Sequence, residues 1–385
     1  MKPLDQEQAI ACLVPSLPAP DELLPYLNRM AETRWYSNQG PLYSEFKQAV
    51  IAQLSSRNPE LPPVHGEVVS SGTAALELAL MALKLAPGSY VLVPALTFVA
   101  SALAVLRVGL VPVICDIDAD SWQLTPDMAK KVANQRPIAA VLPVATFGIP
   151  VETKPWDDFV EDTQIPVVID AAAAFAEQKV GQRSNLVVSF HATKLLGIGE
   201  GGGVFSRQPD FIEAIHKCSN FGLHQGASQE TGFNAKLSEY HAAVGLAQLA
   251  RWPELYQGYR ECHRWYMERI NHWSGISSQP GAEHFTPGVE VLLLECEADF
   301  VQSQLQRQSI ETRRWYYPAL HCHPAILSKS ELATEPGQDG LAVVDRMSQY
   351  LLGFPYHLYL TEQEVDRVMQ AIGELTPLKG VASHA

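Results

Sequence analysis

The stretch "SFHATKLLGIGEGGG", Ser189 to Gly203, sets a single lysine, Lys194, between an apolar run and a row of glycines. A lysine withdrawn from solvent is costly unless it is paired or loses its proton, so Lys194 is either an ordinary surface residue or a reactive amine. Upstream, "PVVIDAAAAF" ends an apolar run on Asp170, and the four alanines after it leave open space. "VVSSGTAALELALMAL" passes through Ser71, Gly72 and Thr73 into a helical pattern. Such a turn aims free backbone N–H groups and a hydroxyl at whatever sits before the helix, and phosphate is the favoured guest. Taken alone, each of the three has a plainer reading: a solvated amine, a helix-capping carboxylate, and a Ser/Thr N-cap without an anion.

The elements that must position these residues are short apolar runs of strand length. Seven occur, at 67–71, 90–93, 111–115, 138–142, 166–170, 186–190 and 203–206. Helical patterns such as 73–84 and 126–135 lie between several of them, which predicts an α/β fold: a mostly parallel seven-stranded sheet flanked by helices on both faces. Beyond about residue 235 the pattern changes to two long helices, with Pro253 in the first turn of the second, and then to mixed strand and helix. The C-terminal helix begins at Thr361 and Glu364, which have capping-box spacing. At 385 residues the chain exceeds what one core usually organises. We therefore expect a large domain over residues 1–254 and a smaller α+β domain over residues 255–385.

In open parallel sheets, ligand groups collect at the carboxyl ends of the strands, where Ser71–Thr73, Asp170, and Ser189 with Lys194 all fall. An anion cradle, a carboxylate and an amine meeting at one sheet edge are what pyridoxal 5'-phosphate requires: a phosphate site, an acidic partner for the pyridine nitrogen and an amine for the aldehyde. On this reading Lys194 is the cofactor-linking residue.

The composition excludes other classes. A formal charge of −14, from 42 acidic and 28 basic residues with no basic run, argues against nucleic-acid or anionic-membrane partners. The apolar stretch Tyr90 to Leu106 approaches the ~20 residues of a membrane span, but Pro94 breaks it into a strand, a loop and a short buried helix. The six cysteines include no Cys-x-x-Cys pair, and the start "MKPLDQEQAI" carries no secretory signal, so reduced thiols in a cytoplasmic protein are expected. His321 and His323 flank Cys322, but no second ligand pair lies at metal-binding spacing, and no metal is expected.

The ordered set "SSGTAAL", "PALTFVAS", "GLVPVICDID", "VVIDAAAA", "SFHATKLLGIGEGG" and "GFNAKLSEYHAAVGLAQL" resembles the DegT-type nucleotide-sugar aminotransferases, which are fold-type I pyridoxal phosphate enzymes. The resemblance spans nearly the whole chain, from "SNQGPLYSEF" to "FPYHLYLTEQEVDRVM". It implies that Lys194 forms the covalent link to the cofactor aldehyde and then serves as the proton-transferring base. Asp170 would keep the pyridine nitrogen protonated. Gly72, Thr73 and Ser189 would hold the phosphate, and Phe98 would stack on the ring. Asn234 would reach the same phosphate from a neighbouring subunit, which implies a homodimer with shared active sites.

The implied reaction moves an amino group, with glutamate as donor, onto a keto-sugar nucleotide. The chain departs from the family pattern at Ala145, Ala173, Ala235, Lys236 and Ala192. The alanines at 145, 173 and 235 stand where larger polar or aromatic side chains are common, which predicts a roomier pocket. These departures keep a second enzyme reading open, with another carbonyl such as a keto-sugar phosphate or keto-cyclitol as substrate. A noncatalytic cofactor-binding regulator is the alternative of a different class, although no DNA-binding appendage is apparent. Sugar dehydratases of the family carry histidine at the lysine position, and Lys194 argues against them.

Overall fold

The computed structural model describes residues 9–334 and 340–375. Most of the amino-terminal stretch read for a signal, and the last ten residues of the expected small domain, lie outside them. Two helices, α1 (Pro20–Thr33) and α2 (Pro41–Ser55), precede the sheet. Its strands are β1 (His65–Val69), β2 (Tyr90–Pro94), β3 (Val111–Cys115), β4 (Ile138–Val141), β5 (Val168–Asp170), β6 (Asn185–Ser189) and β7 (Gly202–Ser206). They alternate with α3 (Gly72–Ala82), α4 (Val99–Arg107), α5 (Pro126–Ala133) and α6 (Thr153–Thr163), and α7 (Pro209–Cys218) follows β7.

All seven expected strands are present, with ends displaced by at most two residues. They are buried along almost their whole length, as strands covered on both faces must be. One half of the sheet runs β1-β7-β6-β5, with β7 antiparallel to both neighbours. The other half ends in β3-β2-β4, all parallel. Parallel bridges Val141 to Val167 and Val144 to Asp170 join the halves, so the carboxyl ends of β4 and β5 lie side by side. The Tyr90–Leu106 stretch is strand, loop and helix, and among the described residues no helix is long and apolar enough to cross a membrane.

Beyond β7 a short hairpin, β8 (Leu223–His224) with β9 (Ala227–Ser228), leads into α8 (Glu239–Ile270). Here the structure corrects the expectation of two helices: α8 is one helix of 32 residues that runs through Pro253 and through the expected domain boundary. A proline inside a helix costs about 3 kcal/mol. Both halves of α8 bury large side chains on either side of it, including Trp252, Leu255, Tyr259 and Tyr266, and their burial outweighs that local cost.

The remaining elements are β10 (Ile276–Ser278), β11 (Glu290–Leu294), α9 (Ala298–Arg307), α10 (Pro324–Leu327), β12 (Glu331–Ala333), α11 (Ala342–Tyr350), β13 (Leu351–Phe354) and α12 (Glu362–Gly373). β10, β11 and β13 form a small antiparallel sheet. β12 returns to the large sheet and pairs in parallel with β3, an eighth strand beyond the seven expected. α12 starts with the expected capping box: Glu364 N–H donates to Thr361 Oγ1 (3.3 Å), and Thr361 N–H donates to Glu364 Oε2 (2.8 Å).

Candidate active site

Asp170 is the last residue of β5, carried to the sheet edge by a strand that is buried throughout. Its carboxylate is 5% exposed. Oδ1 accepts the N–H of Ala172 (3.1 Å), and Oδ2 accepts the Ser101 hydroxyl (2.8 Å). Burial pushes the Asp170 carboxyl above the usual aspartate range, while the Ser101 and Ala172 donors and the charge of Lys194 pull it back.

Ser189 ends the adjacent β6, and the chain then folds into a loop tied to itself. Phe190 N–H donates to Gly201 O (2.9 Å), Ala192 N–H to Gly199 O (2.8 Å) and Ile198 N–H to Phe190 O (2.8 Å). Lys194 stands partly buried on this loop. Burial draws its ammonium below the usual lysine range, and the nearby Asp170 charge partly restores it. The glycines that follow have a steric reason: a Cβ on Gly202 would lie 2.5 Å from the carbonyl carbon of Ser71. Ser71 is the N-cap of α3, its Oγ accepting Ala74 N–H at 3.0 Å, and Gly72 follows it against Ser189.

A cavity of about 350 Å³ opens among these elements. Of the residues singled out in the sequence, it brings together Gly72, Thr73, Phe98, Asp170, Ser189 and Lys194. Asn234 is exposed, outside the lining of its own chain's cavity, in a segment bridged to Asn220. Phe98 is 58% exposed at the cavity edge. Ala173 and Ala145 both line the cavity, Ala145 almost fully buried in its wall at 2% exposure, whereas Ala235 at 0% lies outside the lining, enclosed in packing.

The cavity also has walls that sequence reasoning missed. Trp315 and Tyr316 enter from the C-terminal part, and Tyr316 stacks on Phe147 with ring centres 5.6 Å apart. Burial and the Asp170 charge both push the Tyr316 phenol up. The aromatic run "RRWYYP" was the available signal, but it lies more than a hundred residues beyond Lys194. Thr97 and Ser101, the hydroxyls beneath Asp170, flank Phe98 at a spacing of four residues. Away from the cavity, His321, Cys322 and Asp345 place three ligand-type atoms within 4.8 Å of one another. Spacing alone concealed this grouping, because Asp345 comes from α11. His321 Nε2 pairs with Asp345 there at 2.9 Å. All six cysteines are free thiols.

Residues 19–373 match the family model described as the DegT/DnrJ/EryC1/StrS aminotransferase family. Protein Rv3402c of Mycobacterium tuberculosis is 33% identical over 380 residues, covering 94% of this chain and 88% of that protein. The dTDP-4-amino-4,6-dideoxy-D-glucose transaminase of Shigella dysenteriae is 27% identical, covering 96% of this chain and 100% of its own length. Among solved structures, a Bacillus cereus protein assigned to the PLP-dependent aminotransferases superposes with a TM-score of 0.86 at 26% identity, covering 95% of this chain and 100% of that one.

Proposed function

The chain belongs to the DegT/DnrJ/EryC1/StrS aminotransferase family, pyridoxal phosphate-dependent sugar aminotransferases, and from that premise we propose that it transfers an amino group from glutamate to a keto-sugar carried on a nucleotide. One observation carries this reading: Lys194, Asp170 and the Gly72–Ser189 contact open onto the same cavity. The Shigella relative is named for a dTDP-linked amino sugar, and a substrate of that class is the proposal here.

The residues fit the cofactor. The absent side chain at Gly72 leaves space beside the Ser189 hydroxyl, at the N-terminus of α3, where a dianionic phosphate is favoured. When bound, pyridoxal phosphate supplies an aldehyde that carries the amino group and a ring that takes up the electron pair released at the substrate carbon. Gly72, Thr73 and Ser189 would hold its phosphate, Phe98 would cover the ring, and Asp170 would hold a proton on the pyridine nitrogen. Lys194 Nζ, already inclined by burial to give up its proton, would accept the proton that leaves the amino-bearing carbon and return it. Tyr316 and Trp315 narrow the opening and exclude water. Asn234 completes the phosphate site of a second copy, making the active unit a homodimer.

The test begins with the cofactor-loaded enzyme, aminated by glutamate and freed of donor. Keto-sugar nucleotides, keto-sugar phosphates and keto-cyclitols are then added in turn while the cofactor absorbance is followed. A nucleotide-linked sugar restores the original spectrum, and borohydride fixes the cofactor on the peptide bearing Lys194. Restoration only by a phosphate or a cyclitol, or an undiminished borohydride adduct in Lys194→Ala, overturns the assignment.

A further inference from the structure

The Asp170 carboxylate rests on the Ser101 hydroxyl, which meets that of Thr97 behind it; both residues lie in "PALTFVAS", where the resemblance gave a role to Phe98 alone. Ser101 Oγ lies 2.8 Å from Asp170 Oδ2, and Thr97 Oγ1 lies 2.9 Å from Ser101 Oγ. Both hydroxyls are almost wholly buried, at 0% for Ser101 and 3% for Thr97. An ionised carboxylate can only accept, and a hydroxyl has one proton to give. Ser101 therefore spends its proton on Asp170 and can only accept from Thr97, so the chain is polarised in one direction, from Thr97 through Ser101 to Asp170. Local structure explains the spacing: Phe98 is the N-cap of α4, Ser101 N–H donates to Phe98 O at 3.2 Å, and this first turn brings residues 97 and 101 together.

We infer that Ser101, supported by Thr97, is a positioning residue that keeps Asp170 ionised and fixes its Oδ2, so that the remaining acceptor capacity faces the cavity. The inference rests on the reading of Asp170 as the partner of the pyridine nitrogen. Desolvation opposes ionisation of a carboxylate at this depth, and hydrogen bonds to the charged form oppose desolvation. Ser101 and the Ala172 N–H grip different oxygens of Asp170, which also stops the carboxylate from rotating. The turn that presents Phe98 to the cavity thus also sets the charge beneath it.

The test uses the full chain in cofactor-free and loaded forms. In the cofactor-free protein, the infrared band of the protonated Asp170 carboxyl, identified by its loss in Asp170→Asn, is followed across pH. It should titrate at higher pH in Ser101→Ala than in wild type and return to the wild-type position in Ser101→Thr, which restores the hydroxyl. In the loaded enzyme, Ser101→Ala should lower kcat about tenfold with KM nearly unchanged, the scale of one hydrogen bond to a charged group. Thr97→Val, nearly isosteric, should shift the band in the same direction by a smaller amount, and it decides the matter if Ser101→Ala fails to fold. An Asp170 titration unmoved by either variant overturns the inference. A shifted band alongside full turnover in Asp170→Asn would keep the relay and reject the assigned role of Asp170, so the two failures are distinguishable.

Discussion

A methyl group on Gly72 would stand 2.8 Å from Cβ of Ser189 and 3.1 Å from its Oγ, so the first turn of α3 and the end of β6 meet where only a hydrogen fits. Gly72→Ala must displace Ser189, because a Cβ–Cβ contact that short does not persist. Overpacking of this kind costs about 2 kcal/mol, roughly thirtyfold in affinity if it falls on the bound state. We expect Gly72→Ala to weaken pyridoxal phosphate binding by that order and to affect pyridoxal, which lacks the phosphate, far less. Titrating both compounds into the cofactor-free protein by absorbance measures the two losses. Equal losses would remove Gly72 and Ser189 from the phosphate site.

Asn234 is exposed and lies outside the cavity of its own chain, in a segment held by the bridge to Asn220 and by the Lys236 ammonium, which donates to Asn220 Oδ1 at 2.8 Å. If it serves a second copy, Lys194→Ala and Asn234→Ala chains should each be poor alone and regain activity when mixed. Each mixed dimer then holds one site built only from unaltered residues. The measurement is turnover against mixing ratio, with subunit exchange verified by mass. Exchange without any recovery would assign Asn234 to its own chain or to no catalytic role.

The seven strands of the large sheet were legible because buried strands read as short apolar runs between turn residues, and β1 to β7 are of that kind. That Gly72, Thr73, Asp170, Ser189 and Lys194 meet at one cavity was legible for a related reason, since each stands at a strand end or within five residues of one and inherits its position from the sheet. Features set by distant packing were not. β12 joins the sheet beside β3 from more than two hundred residues away, and local sequence carries no trace of that pairing. Pro253 suggests a helix start wherever burial of the flanking turns is unknown. Glu239 reads as an ordinary first-turn acid of α8, yet it is 1% exposed and accepts the N–H groups of Leu42 (2.9 Å) and Tyr43 (2.8 Å), capping α2 instead. The expectation of a roomier pocket narrows for the same reason. Ala235 is enclosed outside the cavity, Ala145 lines it but is almost fully buried in its wall, and of the three Ala173 is the most open to it.

The His263 ring is clamped between two acceptors, with Nδ1 2.7 Å from Glu290 Oε2 and Nε2 3.0 Å from the Ala282 carbonyl. With Glu290 ionised neither partner can donate, so a ring protonated on both nitrogens satisfies the two acceptors as a cation paired with Glu290. Burial pulls the imidazole down, but the charge and hydrogen bond of Glu290, aided by the Ala282 carbonyl, outweigh it, and the net shift is above the usual 6.5. The clamp ties α8 to β11, the middle strand of the small sheet. β13 of that sheet anchors the segment leading to Tyr316, since Arg313 N–H donates to Gly353 O at 2.9 Å. A histidine whose folded pKa is raised contributes stability that is fully present below the unfolded pKa and is lost as pH rises through the folded one. Below pH 6.5, His263→Gln should therefore cost about 3 kcal/mol, the scale for breaking a buried pair. That deficit should shrink as pH is raised, because the wild type loses the bonus and the variant has none to lose. Urea unfolding of both proteins across this range gives the difference directly, and a deficit independent of pH would mean that the ring is neutral and Glu290 holds it by a plain hydrogen bond.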